Sequence, residues 1–170
     1  MKENYFELLQ IDREFSLDLE VLESNYLRLQ QMYHPDKAQS FVERSKFLNI
    51  SSSLNFAYKT LANDLARAEY LLLLEDLSLT DVQLNKDCCA FSQKILAETI
   101  EKNEFLQESD DLVQIQNFLL DQLNQRNDLI TDMNSAFLKK NMQNFLLYTY
   151  QIKYLDKIIS TAQLKFFKNC

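Results

Sequence analysis

The chain's single histidine and single proline are neighbours, His34 and Pro35, and Asp36 follows them. These three types can do recognition chemistry. An imidazole both donates and accepts hydrogen bonds, and a compact exposed carboxylate makes charge-assisted contacts with a guanidinium. Pro35 lacks an N–H and steers His34 away from the α region, so a helix ends there and the following turn is stiffened. On the residues alone two readings stand. One is an exposed recognition turn, to which Lys37 adds a positive charge. The other is a plain helix stop, with His34 capping the helix before it.

Enzyme chemistry is poorly served. A histidine-based nucleophilic site needs an activated Ser or Cys and an orienting acid, and no such set accompanies His34. A zinc site needs three or four ligands. Gly is absent from the 170 residues, so no glycine loop can cradle a phosphate. The chain is expected to have no catalytic residue, no metal and no cofactor, and not to be an enzyme.

The turn needs helices to hold it. Asn4 can cap a short helix to Leu9, with Tyr5, Phe6, Leu8 and Leu9 as its apolar face. Leu19, Leu22, Tyr26, Leu29 and Tyr33 step by three and four, which predicts a second helix over 17–33 capped by Ser16. Phe47, Ile50, Leu54, Tyr58 and Leu61 predict a third over 41–61. The fourth covers 65–74. The second and third, joined by the short His34–Lys37 loop, should form an antiparallel hairpin.

Beyond a polar stretch from Glu75 to about Asp87 the pattern becomes heptad-like. One helix carries Leu112, Ile115, Leu119, Leu123, Arg126, Ile130, Met133 and Phe137, with Arg126 as its polar break. Another carries Phe145, Tyr148, Ile152, Leu155, Ile159, Ala162 and Phe166. They should pair antiparallel. A shorter helix over about 91–107 brings Ile95, Leu96, Thr99 and Ile100, with Phe105 or Leu106. The reading is all-α: a helical hairpin unit over 1–75, a linker over 76–87 and a three-helix bundle over 88–170. Without Gly, turns at positive φ are disfavoured.

A net charge of −7 argues against a nucleic-acid partner. No apolar run is long enough for a membrane span, and Met1–Tyr5 lacks the basic start of a signal peptide, so the cytoplasm is the expected compartment. Cys88, Cys89 and Cys170 lack zinc-ligand spacing and are expected to be unligated thiols. On the first bundle helix Glu101, Glu104 and Glu108 share a side near Leu96 and Ile100. Such a face reads either as an acid-rimmed partner site or as a solvated acidic face.

Tyr33-His34-Pro35-Asp36-Lys37 at the end of an amphipathic helix resembles the J-domain signature. Tyr5-Phe6-Glu7-Leu8-Leu9 resembles the opening of that family, and Leu54-Asn55-Phe56-Ala57-Tyr58-Lys59-Thr60-Leu61 its third-helix pattern. Arg67-Ala68-Glu69-Tyr70-Leu71-Leu72, with Tyr154-Leu155-Asp156-Lys157 near the C-terminus, narrows the resemblance to the HscB-type Fe–S assembly co-chaperones, the Hsc20 family.

The resemblance implies an L-shaped protein in two parts. The J domain stimulates the ATPase of a specialised, HscA-like Hsp70 through His34, Pro35, Asp36, Lys37 and Arg28. The bundle holds an IscU-like scaffold through Leu96, Ile100, Glu101, Glu104, Lys153 and Tyr154. Two positions depart from the family pattern. The second helix, usually basic, carries Asp18, Glu20 and Glu23 against Arg28 alone, which implies weak affinity for general Hsp70s. The Gly usually found after the fourth helix is replaced by Leu74-Glu75-Asp76. A general J protein and a helical adaptor are the competing readings.

Overall fold

The structure, a computed structural model, describes residues 4–84 and 86–169. All regular elements among them are helical: α1 Tyr5–Leu8, α2 Leu19–Met32, a 3-10 turn Pro35–Lys37, α3 Phe41–Ala62, α4 Asp64–Leu74, α5 Leu79–Leu84, α6 Lys86–Glu108, α7 Leu112–Leu138 and α8 Met142–Asn169. The chain divides into two compact units, Met1–Leu71 and Leu72–Cys170. Cys170 and the first three residues of the Met1–Tyr5 segment lie outside the described residues.

In the first unit α1, α2 and the turn all pack on α3. The core is Phe6, Leu9, Phe15, Leu22, Leu29, Leu54, Ala57, Leu61, Ala68 and Leu71, all buried. α2 starts at Leu19 and not at Leu17, because Asp18, not Ser16, is its cap. The Asp18 carboxylate accepts the N–H groups of Glu20 and Val21 at 2.9 and 3.2 Å, satisfying donors that the first turn leaves orphaned. Leu19, expected on the buried face, is half exposed.

Arg67 knits this unit together. Its guanidinium is buried and donates to the Phe15 carbonyl at 2.7 Å, to the Leu61 carbonyl, and to Asp64 Oδ1 at 2.6 Å. It also lies 5.3 Å from the centre of the Phe15 ring. Burial pushes the Arg67 pKa down, and Asp64 partly offsets this. Tyr70 stacks on Tyr5 with ring centres 4.4 Å apart and accepts the Tyr5 N–H at 3.0 Å. Burial raises the Tyr70 pKa, and that hydrogen bond offsets part of the rise. Arg67 and Tyr70 thus close α1 and the α1–α2 loop over the fourth helix.

In the second unit α7 and α8 pair antiparallel and α6 lies against α8. Leu106, Ile158 and Ala162 pack together beneath Phe105, Phe118 and Leu119. α6 begins five residues earlier than the expected Phe91. The stretch expected to be polar linker holds α5, whose Val82 is fully buried. Its start is a reciprocal cap. Ser78 Oγ accepts the Thr80 N–H at 3.3 Å, and Asp81 accepts the Ser78 N–H at 2.7 Å.

The heptad reading of α7 is shifted by one residue at its centre. Gln122 and Leu129 are buried, whereas Leu123 and Ile130 are half-buried. The polar break Arg126 is matched across the pair by Asp156, Nε to Oδ1 at 2.7 Å.

The absence of Gly does not prevent left-handed turns. Gln10, Asp76 and Lys140 all have φ near 56°. Each ends a helix with a six-to-one hydrogen bond of the Schellman type: Ile11 N–H to Phe6 O, Leu77 N–H to Leu72 O, and Asn141 N–H to Ala136 O. Asp76 therefore takes the place in which the family resemblance expects Gly. A left-handed conformation costs a side-chain-bearing residue roughly 1–2 kcal/mol. Lys140→Gly should relieve part of that cost and raise the thermal midpoint by about 2–4 °C in a circular-dichroism melt. A lowered midpoint would show that Lys140 contributes more than its backbone there.

Candidate functional site

The His34 turn is assembled by the hairpin. α2 ends when the Tyr33 N–H bonds to Leu29 O at 2.9 Å, so Tyr33, and not His34, caps it. His34 caps the next element instead, with extended backbone (φ −66°, ψ 131°) and Pro35 at the first position of the 3-10 turn. The turn is closed by Lys37 N–H to His34 O at 3.0 Å and Ala38 N–H to Pro35 O at 3.3 Å. α3 then starts under a double cap. Ser40 Oγ accepts the Glu43 N–H at 3.2 Å, and Glu43 Oε2 accepts the Gln39 N–H at 2.7 Å.

The two helices are pinned close to the turn. Gln30 donates to Ser51 O at 3.0 Å and to Asn55 Oδ1 at 2.8 Å, and Ser51 donates back to Gln30 at 2.6 Å. Tyr26 donates to Asn55 at 2.7 Å and stacks on Tyr58. The Tyr33 ring meets Phe47 edge-on.

His34 and Asp36 are thereby held facing solvent, with side chains 56% and 77% exposed. His34 Nδ1 accepts the Asp36 N–H at 3.3 Å. In the neutral ring this places the proton on Nε2. The turn presents an outward N–H donor beside an outward carboxylate acceptor. Lys37 joins them through its backbone and is exposed. Arg28 does not join them. Its guanidinium donates to Gln10 at the end of α1, where Asn25 also bonds to the Leu9 and Gln10 carbonyls at 3.1 Å.

The candidate residues of the second unit lie on α6 and α8. Leu96 and Ile100 are 38% and 57% exposed. Leu96, Ile100 and exposed Glu104 follow one another at four-residue steps on one stripe. Exposed Glu101 lies about 100° further round from Ile100. Tyr154 lines the groove of α6 and α8 with Ile95, Glu98, Thr99, Lys102 and Gln151. It accepts a hydrogen bond from buried Tyr150 at 3.3 Å. Lys153 beside it is exposed.

In the sequence the groove residues Ile95, Thr99 and Gln151 carry no site motif. A four-residue register from Ile95 to Thr99 was the available signal. Of the acids on α6, Glu98 lies 3.7 Å from Lys94 across one turn. Cys88 is buried and Cys89 half-buried, both free thiols. No group of three or more potential metal ligands occurs among the described residues. None of their helices is long and apolar enough to cross a membrane.

A helical hairpin that displays His-Pro-Asp at its turn defines a J-domain protein, and residues 4–70 match the DnaJ domain family. A co-chaperone protein HscB homologue of Acinetobacter baylyi is 31% identical over 170 residues, covering 97% of this chain and 85% of the relative. Human co-chaperone protein HscB superimposes with a TM-score of 0.83 at 26% identity, over 96% of this chain and 82% of that one. The Vibrio cholerae chaperone HscB shares the fold, with a TM-score of 0.85 at 23% identity over 99% and 100% of the two chains. The chain belongs to the HscB family of J-domain co-chaperones.

Proposed function

We propose that this protein stimulates ATP hydrolysis by a specialised, HscA-like Hsp70 and delivers an IscU-like scaffold to it during iron–sulfur cluster assembly in the cytoplasm. The observation that carries the reading is the rigid, outward His34–Asp36 pair at the hairpin turn of an HscB-family chain. Residues 1–75 act as the Hsp70-stimulating part and 88–170 as the scaffold-holding part, with 76–87 between them.

His34, Pro35, Asp36 and Lys37 form the Hsp70 contact. Arg28 supports it indirectly by fixing α2 to the end of α1. A co-chaperone of this kind is not itself the catalyst. It binds one conformation of the Hsp70 better than another, and so moves the equilibrium toward hydrolysis. Leu96, Ile100, Glu104 and Tyr154 form the centre of the scaffold contact, an apolar patch with an acidic rim. Glu101 and Lys153 lie at its margins.

The test is steady-state ATP hydrolysis by the Hsp70 with this protein and the scaffold added separately and together. The expected outcome is stimulation by the protein alone and a larger, more than additive stimulation with the scaffold. Leu96→Ser with Ile100→Ser should remove the synergy and leave the basal stimulation intact. Stimulation with no scaffold effect would leave a general J protein.

A further inference from the structure

α8 is a cationic helix in an acidic chain. It carries Lys153, Lys157, Lys165 and Lys168 against Asp156 alone, whereas the whole chain has a net charge of −7. Asp156 pairs with Arg126 on α7, and Lys165 pairs with Asp110 at 3.4 Å. Lys153, Lys157 and Lys168 are exposed. With Thr161 and Leu164 they fall within about 80° of arc, on a stripe about 22 Å long that holds no acid. Leu164 on this stripe is 63% exposed.

α6 lies beside α8 and runs in the same direction: Ile95 shares a groove with Tyr154, and Leu106 packs with Ile158 and Ala162. On α6, Leu96, Ile100, Asn103 and Gln107 fall within about 60° of arc. Asn103 and Gln107 then line a cavity of about 440 Å³ with Leu106, Thr161, Leu164 and Lys168. Lys165, also in the lining, donates to the Leu106 and Gln107 carbonyls at the end of α6. The row that starts at Leu96 and Ile100 thus leads into this cavity. Exposed Glu101, Glu104 and Glu108 lie further round α6, on the side away from α8. The groove therefore has an acidic rim on α6, a cationic rim on α8 and a cavity at its end.

A groove with rims of opposite sign fits an amphipathic segment that carries cations along one edge and acids along the other. We propose that the α8 rim and the end cavity form a second half of the scaffold contact. The scaffold segment in it places an apolar side chain in the cavity against Leu164, and acidic groups against Lys157 and Lys168. This inference rests on the scaffold-holding role proposed above. Two observations favour the scaffold as occupant. The cavity is continuous along α6 with Leu96 and Ile100, and the α8 lysines complement acids that the α6 glutamates would repel. The opposed rims also fix orientation, because a segment laid in the reverse direction would meet like charge along both edges.

Scaffold affinity would be measured by isothermal titration calorimetry, with the full chain as wild type, Leu164→Ser, Lys157→Glu/Lys168→Glu and Phe167→Ser. Phe167 is the control: it is 74% exposed, but lies about 60° further round α8 than Leu164 and outside the cavity lining. Circular-dichroism melts would check that each variant folds. Leu164→Ser should raise Kd about fivefold, and Phe167→Ser should leave it at the wild-type value. The charge-reversed variant should raise Kd about tenfold and show a weaker dependence on salt than the wild type. Stimulation of the Hsp70 ATPase without scaffold should be the same in all four proteins.

Wild-type affinity in both Leu164→Ser and the charge-reversed variant would overturn the proposal. So would an equal loss in Phe167→Ser, since the end of α8 and not the groove would then be responsible. A wild-type dimer in sedimentation that Leu164→Ser abolishes would give the groove to a second copy and overturn it as well. Scaffold binding lost in Leu96→Ser/Ile100→Ser but kept in the α8 variants would remove the α8 rim alone. A wild type that binds no scaffold would bring down the proposed function itself.

Discussion

His34→Gln should abolish stimulation of the Hsp70 ATPase, by about tenfold or more, and leave the fold intact. The imidazole is 56% exposed, and its hydrogen bond is a long one from the Asp36 N–H at 3.3 Å. Loss of an exposed interaction of this kind changes stability by no more than about 0.5 kcal/mol. The hairpin is held elsewhere, by Gln30, Ser51 and Asn55 and by the Tyr26–Tyr58 stack.

What glutamine cannot reproduce is the stiffness of the turn. The imidazole Nδ1 holds the Asp36 N–H, and Pro35 fixes the backbone between them. Asp36→Asn should lose stimulation for a second reason: in the proposed contact its carboxylate, 77% exposed, is the charged acceptor offered to the partner. The measurement is ATP hydrolysis under saturating co-chaperone, beside a thermal melt of each variant. Full stimulation by His34→Gln would reduce the turn to a helix stop.

Arg67→Ala should cost about 3–5 kcal/mol of stability, the largest loss expected from any single substitution in the first unit. The guanidinium serves three acceptors on separate segments: Phe15 in the α1–α2 loop, Leu61 at the end of α3, and Asp64 at the start of α4. Two of these are backbone carbonyls reached by a side chain only 5% exposed, and they carry most of the effect. Asp64 is about a third exposed, so solvent screens its share. Truncation also leaves a cavity beside Phe15.

Arg67→Lys should recover little. A single ammonium cannot reach three acceptors spread around a planar fork. The J unit should melt at least about 10 °C lower in either variant, followed by circular dichroism. Stimulation should fall with the folded fraction rather than with the chemistry of the turn. A midpoint within about 2 °C of wild type would show that the three contacts contribute little.

The Arg67 motif illustrates how sequence and structure divide the work. From sequence, Arg67-Ala68-Glu69-Tyr70-Leu71-Leu72 served as a mark of family, with no role attached. The structure supplies the role: Arg67 and Tyr70 close the unit, and Ala68 and Leu71 belong to its core. An Arg so deeply buried cannot be recognised from a pattern, because its partners lie up to 52 residues away.

The shifted heptad in α7 has the same origin. Gln122 is buried where Leu123 was expected, because the face that α7 turns inward is decided by α6 and α8 together. The Gln122 Oε1 finds no partner among the described residues, while its Nε2 donates to Asp121. α5 was legible in principle. Ser78 and Asp81 form a capping box at the spacing that announces a helix start, but six residues are too few for a periodic stripe to stand out.

By itself the sequence determined the helical class, the hairpin, the two amphipathic bundle helices and the exposed His34-Pro35-Asp36 turn. These follow from local rules: apolar residues at three- and four-residue steps, a proline that stops a helix, and caps that start one. Tertiary structure alone decided which residues remain outside. Phe41 and Phe56 are phenylalanines like Phe6 and Phe15, yet the first two face solvent and the last two are buried. It also decided that Arg28 turns to Gln10 and away from the turn, and that Asp76 and Lys140 accept left-handed backbones without glycine. The physical reason is the same in each case. A helix's own pattern sets which face is apolar, but only the elements packed against it set which part of that face is covered.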